Sequence, residues 1–425
     1  MKQYTYNSLI AAVTVIISVF VINASAENWP NWRGPNGLGV SNEKKVPKSW
    51  SQNENVKWKK NVPGMGTSSP IVFGNRVYLT TQGEDFSLIV LAYSALTGEQ
   101  MWSKSLGKEN IPVHNLHNMS TPTPVSDGKY VWAQFGNGSL ACLDFNGNLV
   151  WQKNLTKEYG KYNYLHGMGN SPLLHEGKLI IACMHQGPSY LLAIDASSGE
   201  EIWKVERDLA KGGEAMDSYS SPILGHANGK DIIILSGANH INAYDPVDGK
   251  QLWISGGLEV PHPYGRSISG PTYGEGMVVT VASGFRNQGF VLGVDPSGSG
   301  NVSKSHVKWK AKRFAPDCPT PVIYKSKVFM VRDDGMASCL DLRTGKPFWQ
   351  ERLFAQNIKV SPIAAGGFVY FSSGEGECKV VRASSEFEVV GHNDLEEYQI
   401  ASPAISHGHL FIRTKSHLYC IGDEK

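Results

Sequence analysis

The chain is short of several features that would otherwise direct its reading. Its 425 residues carry 40 Lys and Arg against 38 Asp and Glu, a formal charge of only +2. That near-balance argues against nucleic acid or an anionic membrane surface as the main partner. A run such as Lys57-Trp58-Lys59-Lys60 reads as a solvated strand face. The six cysteines (Cys142, Cys183, Cys318, Cys339, Cys378 and Cys420) include no neighbours and no C-x-x-C pair. Cys142 and Cys339 occupy the same repeat position, so they read as buried thiols of the core. Export permits a disulfide, but equivalent positions in different repeats lie too far apart to bond each other. No stretch after residue 26 has a convincing helical period. The single long apolar run, Leu9–Val21, is short for a membrane span. With Lys2 before it and Ala24-Ser25-Ala26 after it, it predicts a secretory signal over residues 1–26. The chain from Glu27 is then exported, to the periplasm or the outside. No cysteine follows the cleavage point, so no bacterial lipid attachment is expected.

What the sequence does have is a pulse. Ser69-Pro70, Thr121-Pro122, Ser171-Pro172, Ser221-Pro222, Gly270-Pro271, Thr320-Pro321, Ser361-Pro362 and Ser402-Pro403 lie 52, 50, 50, 49, 50, 41 and 41 residues apart. A period of this length marks a repeat architecture. A second marker follows in most units: an apolar residue, Asp, three residues, Gly, three residues, Trp. Asp195 to Trp203 and Asp341 to Trp349 are the clearest copies. The fifth, Asp295 to Trp309, is stretched by a Gly/Ser insertion at Ser297–Gly300, and the seventh has Val389-Val390 in place of Trp. Between the markers lie runs of strand length rich in Val, Ile, Tyr and Phe. Each unit therefore reads as four antiparallel strands with an Asp/Gly turn before the last. Eight such units predict an all-β, eight-bladed β-propeller, which protects its sheet edges by radial closure. The repeated Trp suits the wedge between blades.

Only 22 residues follow Pro403, too few for a whole unit. Trp58 stands 12 residues before Pro70, the spacing of Trp309 from Pro321. Residues 56–61 are thus expected as the outer strand of blade eight, latching the chain ends together. This divides the chain into a signal (1–26), an N-terminal extension (27–55) and the propeller (56–425).

The Asp-x-x-x-Gly-x-x-x-Trp markers resemble those of the PQQ-like (quinoprotein-type) β-propeller, and the likeness covers residues 56–425. Families with this repeat include quinoprotein dehydrogenases and non-enzymatic propellers of the BamB-like kind. The segment Trp29-Pro-Asn-Trp32-Arg33-Gly34-Pro35-Asn36-Gly37 is similar to the opening of exported bacterial PQQ-like propellers. The dehydrogenase resemblance would imply a vicinal Cys-Cys, a calcium loop and a catalytic aspartate. The chain lacks the first two. The expectation is therefore a non-enzymatic binding or scaffold propeller with no cofactor. A PQQ- and calcium-dependent dehydrogenase of alcohols or sugars is the alternative.

Linker length points to a site. From Trp to the next Pro marker the linkers entering units two to five run 20, 21, 19 and 18 residues, against 12 and 13 entering units six and seven. Long loops in a compact domain are often functional. They carry His114 and His117, then Tyr164 and His166, then Asp217, then Tyr264 and Arg266. Asp317, Lys359 and Tyr398 precede later prolines. Inner-strand starts converge on the channel of a propeller, so these groups are expected at one mouth. They would bind a protein or carbohydrate partner of the cell envelope, with the chain a monomer. His114 and His117, with His166 and Asp217, have the residue types of a zinc site. Without a helix the three-residue spacing has little force, so no metal site is expected. His117 with Ser120 is too generic a pair to mark a hydrolase.

Overall fold

The computed structural model describes residues 27–209, 214–261, 265–283, 289–355 and 357–422. The expected signal at 1–26 lies outside these residues. Among them no helix is long and apolar enough to cross a membrane.

The strands assemble into eight sheets, each with four antiparallel strands. Blade one is Ile71–Phe73, Arg76–Gln82, Ser87–Ser94 and Gln100–Lys108, innermost strand first. The next six blades repeat this order, with inner strands at Val125–Ser126, Leu173–His175, Ile223–Ala227, Thr272–Gly274, Val322–Tyr324 and Ile363–Ala365. The second and third strands are buried on both faces, because each blade is sandwiched between two others. This is why they read as continuous apolar runs rather than alternating ones. A five-residue helix, Leu155–Tyr159, begins the linker after blade two, its N-terminus capped by the Asn154 side chain on Lys157 N. So short a helix leaves no periodicity to detect.

The second repeat marker has a physical origin. In each regular unit the indole N–H donates to a backbone carbonyl in the Asp/Gly turn of the next blade: Trp58 to Ala95, Trp102 to Phe145, Trp151 to Ala196, Trp203 to Pro246, Trp309 to Leu342. The turn is shaped by its Asp, whose side chain accepts two backbone N–H groups, as Asp195 does from Ser197 and Ser198. The turn glycine lies flat on the indole. A Cβ on Gly345, at φ +67°, would sit 2.5 Å from Trp309. Blade four is the exception: the stretched turn of blade five instead lays Gly300–Asn301 alongside its outer strand as a fifth, parallel strand. Blade seven has no Trp because the third and fourth strands of blade eight come from opposite chain ends, which leaves no turn to receive one. Its outer strand is Val389–Asp394. Trp50 of the N-terminal extension supplies an indole there, stacked on Tyr370 at 6.4 Å.

The latch forms as expected. Val56–Asn61 pairs antiparallel with His417–Ile421, with Trp58 opposite Cys420. Glu397 fastens it, 2.7 Å from Lys59 Nζ on the latch strand and accepting from Thr414, Tyr419 and His417 on blade eight. Burial opposes the Glu397 charge, but the Lys59, Thr414, Tyr419 and His417 hydrogen bonds dominate and lower its pKa to about 2. A carboxylate depressed on folding stabilises above its ordinary pKa, and that contribution is lost as pH falls toward the folded value. Between about pH 5 and pH 2 the wild type should lose about 1–2 kcal/mol more than Glu397→Gln, after allowance for solvent exposure. Urea midpoints of both proteins across that window check this. Parallel midpoints would remove Glu397 from the latch.

All six cysteines are free, and only Cys318 is not fully buried. Burial pushes the thiols of Cys142, Cys183, Cys339, Cys378 and Cys420 up to about 12.

Candidate functional site: a blind channel

The prolines of the pulse start the inner strands, and the residue before each forms a belt around the channel. A backbone N–H of one blade donates to the hydroxyl of the next: Ser69 to Thr123, Thr123 to Ser171, Ser171 to Ser221, Gly270 to Thr320, Thr320 to Ser361 and Ser361 to Ser402. The second unit enters this belt through Thr123-Pro124, not Thr121-Pro122. Two Thr-Pro pairs stand in tandem there, and only the hydrogen bonds distinguish them. Among the described residues the belt has two gaps: between blades four and five, where Gly270 has no hydroxyl, and between blades eight and one, where Ser402 N makes no such bond to Ser69.

Below the belt the N-terminal extension fills the channel. Trp29 pairs with Val72 of blade one, Ser126 N bonds Pro30 O in blade two, and Val40 pairs with Ala364 of blade seven. Arg33, fully buried, anchors the segment by donating to the carbonyls of Thr320, Pro321 and Pro362 as well as its own Leu38. Burial without a carboxylate lowers its pKa to about 9. Trp32 forms part of the floor of a cavity of about 310 Å³ that continues upward from the belt. A second cavity of about 420 Å³ adjoins it between blades eight and two, sharing Thr67, Leu116, His117 and Ile400.

Of the residues singled out from the sequence, His114, His117, His166, Arg266, Asp317 and Lys359 line the first cavity, and Tyr398 lines the second. Tyr264 lies outside the described residues. Tyr164 and Asp217 lie behind the wall. The Tyr164 hydroxyl accepts from Met184 N, and Asp217, fully buried, accepts from Leu165 N at 2.9 Å. Both brace the long loop entering blade three, the ordinary fate of buried polar groups in loops. Asp217 therefore does not join the histidines, and burial raises its pKa.

The lining is electrostatically closed. Arg266 pairs with Glu214 and holds Asp317 with two hydrogen bonds, Nη2 to Oδ2 at 2.8 Å and Nε to Oδ1 at 3.3 Å. Lys359 Nζ lies 2.6 Å from Asp333 and 3.5 Å from Cys318 Sγ. Burial opposes charge on Asp317, yet Arg266 and Ser283 hold its pKa below the ordinary carboxylate value. Burial likewise opposes the Lys359 charge, but Cys318, Asp333 and Asp317 raise it overall. Asp317, Cys318 and Asp333 form the one cluster of metal-ligand type among the described residues. The Lys359 ammonium already sits against it. His117 is lowered to about 4 by burial and then by His114 and His166, so it is neutral at pH 7. Its Nδ1 lies 3.3 Å from Thr121 Oγ1; Ser120 Oγ, the other half of the generic pair, has no partner among the described residues.

Sequence reasoning passed over Trp32, Cys318 and Asp333. Trp32 was legible only as part of a family-like opening segment, and Asp333 sits in an unremarkable hairpin turn between strands two and three of blade six.

The family described as outer membrane protein assembly factor BamB matches residues 49–204 and 188–424. A BamB of Marinobacter adhaerens is 24% identical over 111 residues, 26% of this chain; the match spans 28% of that protein's length. Among solved structures, BamB from Moraxella catarrhalis superposes with TM-score 0.65 at 12% identity, covering 86% of this chain and 99% of that one. A europium-containing methanol dehydrogenase gives 0.67 at 11% identity, covering 92% and 90%. At such identities the structural likenesses speak for the fold alone. The family match spans nearly the whole propeller, and the chain belongs to the family of the outer membrane protein assembly factor BamB, with a PQQ-like eight-bladed fold.

Proposed function

We propose that the protein is an exported binding scaffold that docks an envelope protein on its long-loop face. The carrying observation is the rim of the mouth. Met65 and Tyr398, which line the second cavity, and Ile111 and Leu165, on the long linkers entering blades two and three, are 55%, 38%, 44% and 56% exposed. Exposed apolar groups on several loops of one face are the pattern of an interaction site. The relatives of the BamB family support this reading.

The alternative, a quinone-dependent dehydrogenase, finds residues of the wrong kind. PQQ is polyanionic and would need unpaired cations, whereas the cations that line the first cavity, Arg266 and Lys359, are both held by carboxylates. Calcium would need Asp317 and Asp333, which hold those same cations.

A photo-crosslinking residue placed at Leu165 or Ile111 should capture a discrete envelope protein in the producing cell. The same residue at Leu96 or Val247, also exposed but on the turns that follow the third strands of blades one and four, should not. Equal capture at all four positions would contradict the reading.

A further inference from the structure

The blind channel carries a second recognition site, distinct from the protein-docking rim. Its basis is the hydroxyl belt. Thr123, Ser171, Ser221, Thr320, Ser361 and Ser402 each accept one backbone N–H, and none of the six hydroxyls donates to any described group. All six are at least nine-tenths buried and all line the cavity. Buried polar hydrogens are ordinarily spent. Six unspent ones in a ring call for something inside that accepts them.

The charges above the belt limit what that is. Of the cations that line the cavity, Arg266 is held by Glu214 and Asp317 and Lys359 by Asp333, and His117 is neutral. An anion therefore finds no unpaired cation in that lining. A cation finds no free carboxylate in the lining: Asp317 holds Arg266 and Ser283, and Asp333 holds Lys359 and the Asp317 N–H. The deeper belt offers it O–H donors, the wrong polarity. A neutral molecule dense in hydroxyls meets neither obstacle. Its oxygens accept from the belt, and its own O–H groups remain free to donate to the carboxylates and imidazoles above. The rings of Trp32 and Tyr219 also line the cavity. Their electron-rich faces suit the C–H face of a sugar ring. A volume of about 310 Å³ lies at the small end of ligand sites. We infer that the blind channel binds one neutral pyranose, either free or as the end residue of a glycan.

The test is saturation-transfer NMR and calorimetry on the exported chain from residue 27. The probes are D-glucose, D-galactose, D-mannose and N-acetyl-D-glucosamine, each also as a short homo-oligomer. D-glucuronate, D-galacturonate and D-glucosamine serve as anionic and cationic counterparts. The expected result is saturable binding of at least one neutral sugar, with its charged counterpart weaker by about tenfold or more. Binding by the monosaccharide assigns a free sugar, and binding only by the oligomer assigns a glycan end. Ser361→Ala should weaken binding roughly fivefold for one lost hydrogen bond, and Ser361→Thr should restore it. The wild-type series decides the matter even if Ser361→Ala folds poorly. Millimolar neutral sugars that give no transfer, or a charged counterpart that binds as well or better, overturn the inference. Neither result touches the rim crosslinks, so the two readings fail separately.

Discussion

Replacing Gly345 by Ala should lower stability by about 3 kcal/mol, whereas Gly229→Ala should cost about 1 kcal/mol. Both glycines have positive φ, +67° and +75°, and both add a Cβ to a turn. The difference is what the Cβ meets. At Gly229 there is nothing within 4 Å; at Gly345 the indole of Trp309 lies at 2.5–3.0 Å. That indole cannot swing aside without breaking its 2.9 Å hydrogen bond to Leu342 O. The first substitution therefore adds a steric term of about 1–3 kcal/mol to the backbone term. Denaturant midpoints of the two variants check this. Equal losses would mean that the glycine of the repeat is kept for its backbone alone. The same contact recurs between Gly98 and Trp58, Gly147 and Trp102, Gly199 and Trp151, and Gly249 and Trp203. It is why a unit that ends on the Trp is followed by a unit that carries the turn glycine.

Arg33→Ala should cost a comparable amount, about 3 kcal/mol, although residue 33 is outside the propeller strands. The substitution leaves the carbonyls of Leu38, Thr320, Pro321 and Pro362 without their donor and opens space at the channel axis. Arg33→Lys should recover little, since one ammonium cannot reproduce the fork that reaches two blades. Thermal midpoints of the three proteins test this. An unchanged midpoint for Arg33→Ala would mean that the segment rests loosely in the channel.

The repeat made the fold legible. The proline pulse counts the blades, the shortfall after Pro403 requires the latch, and strand-length apolar runs between the markers point to strands rather than long helices. The site was legible only in part. Loop length directed attention to one mouth, and six of the residues chosen line one cavity there. Residue type could not separate His117, which faces that cavity, from Asp217, which turns away to hold Leu165 N. Both are polar, and both lie in long loops. The plug was invisible for a different reason. Trp29, Trp32 and Arg33 precede the first repeat, so no period locates them, and their partners lie as far off as Pro362. The tandem Thr-Pro pairs of unit two show the limit of spacing alone, which cannot resolve a shift of two residues.

Residues 29–41 close one end of the channel. Amide hydrogen exchange of the chain from residue 27 tests this most directly. Trp29 N and Val72 N each donate 2.8 Å bonds to the other's carbonyl, and Ala364 N donates to Gly39 O at 2.8 Å. These three amides should exchange as slowly as those of the buried second strands, on the scale of global unfolding. If they exchange within seconds while the blade amides stay protected, the channel is an open tunnel and the blind cavity does not exist.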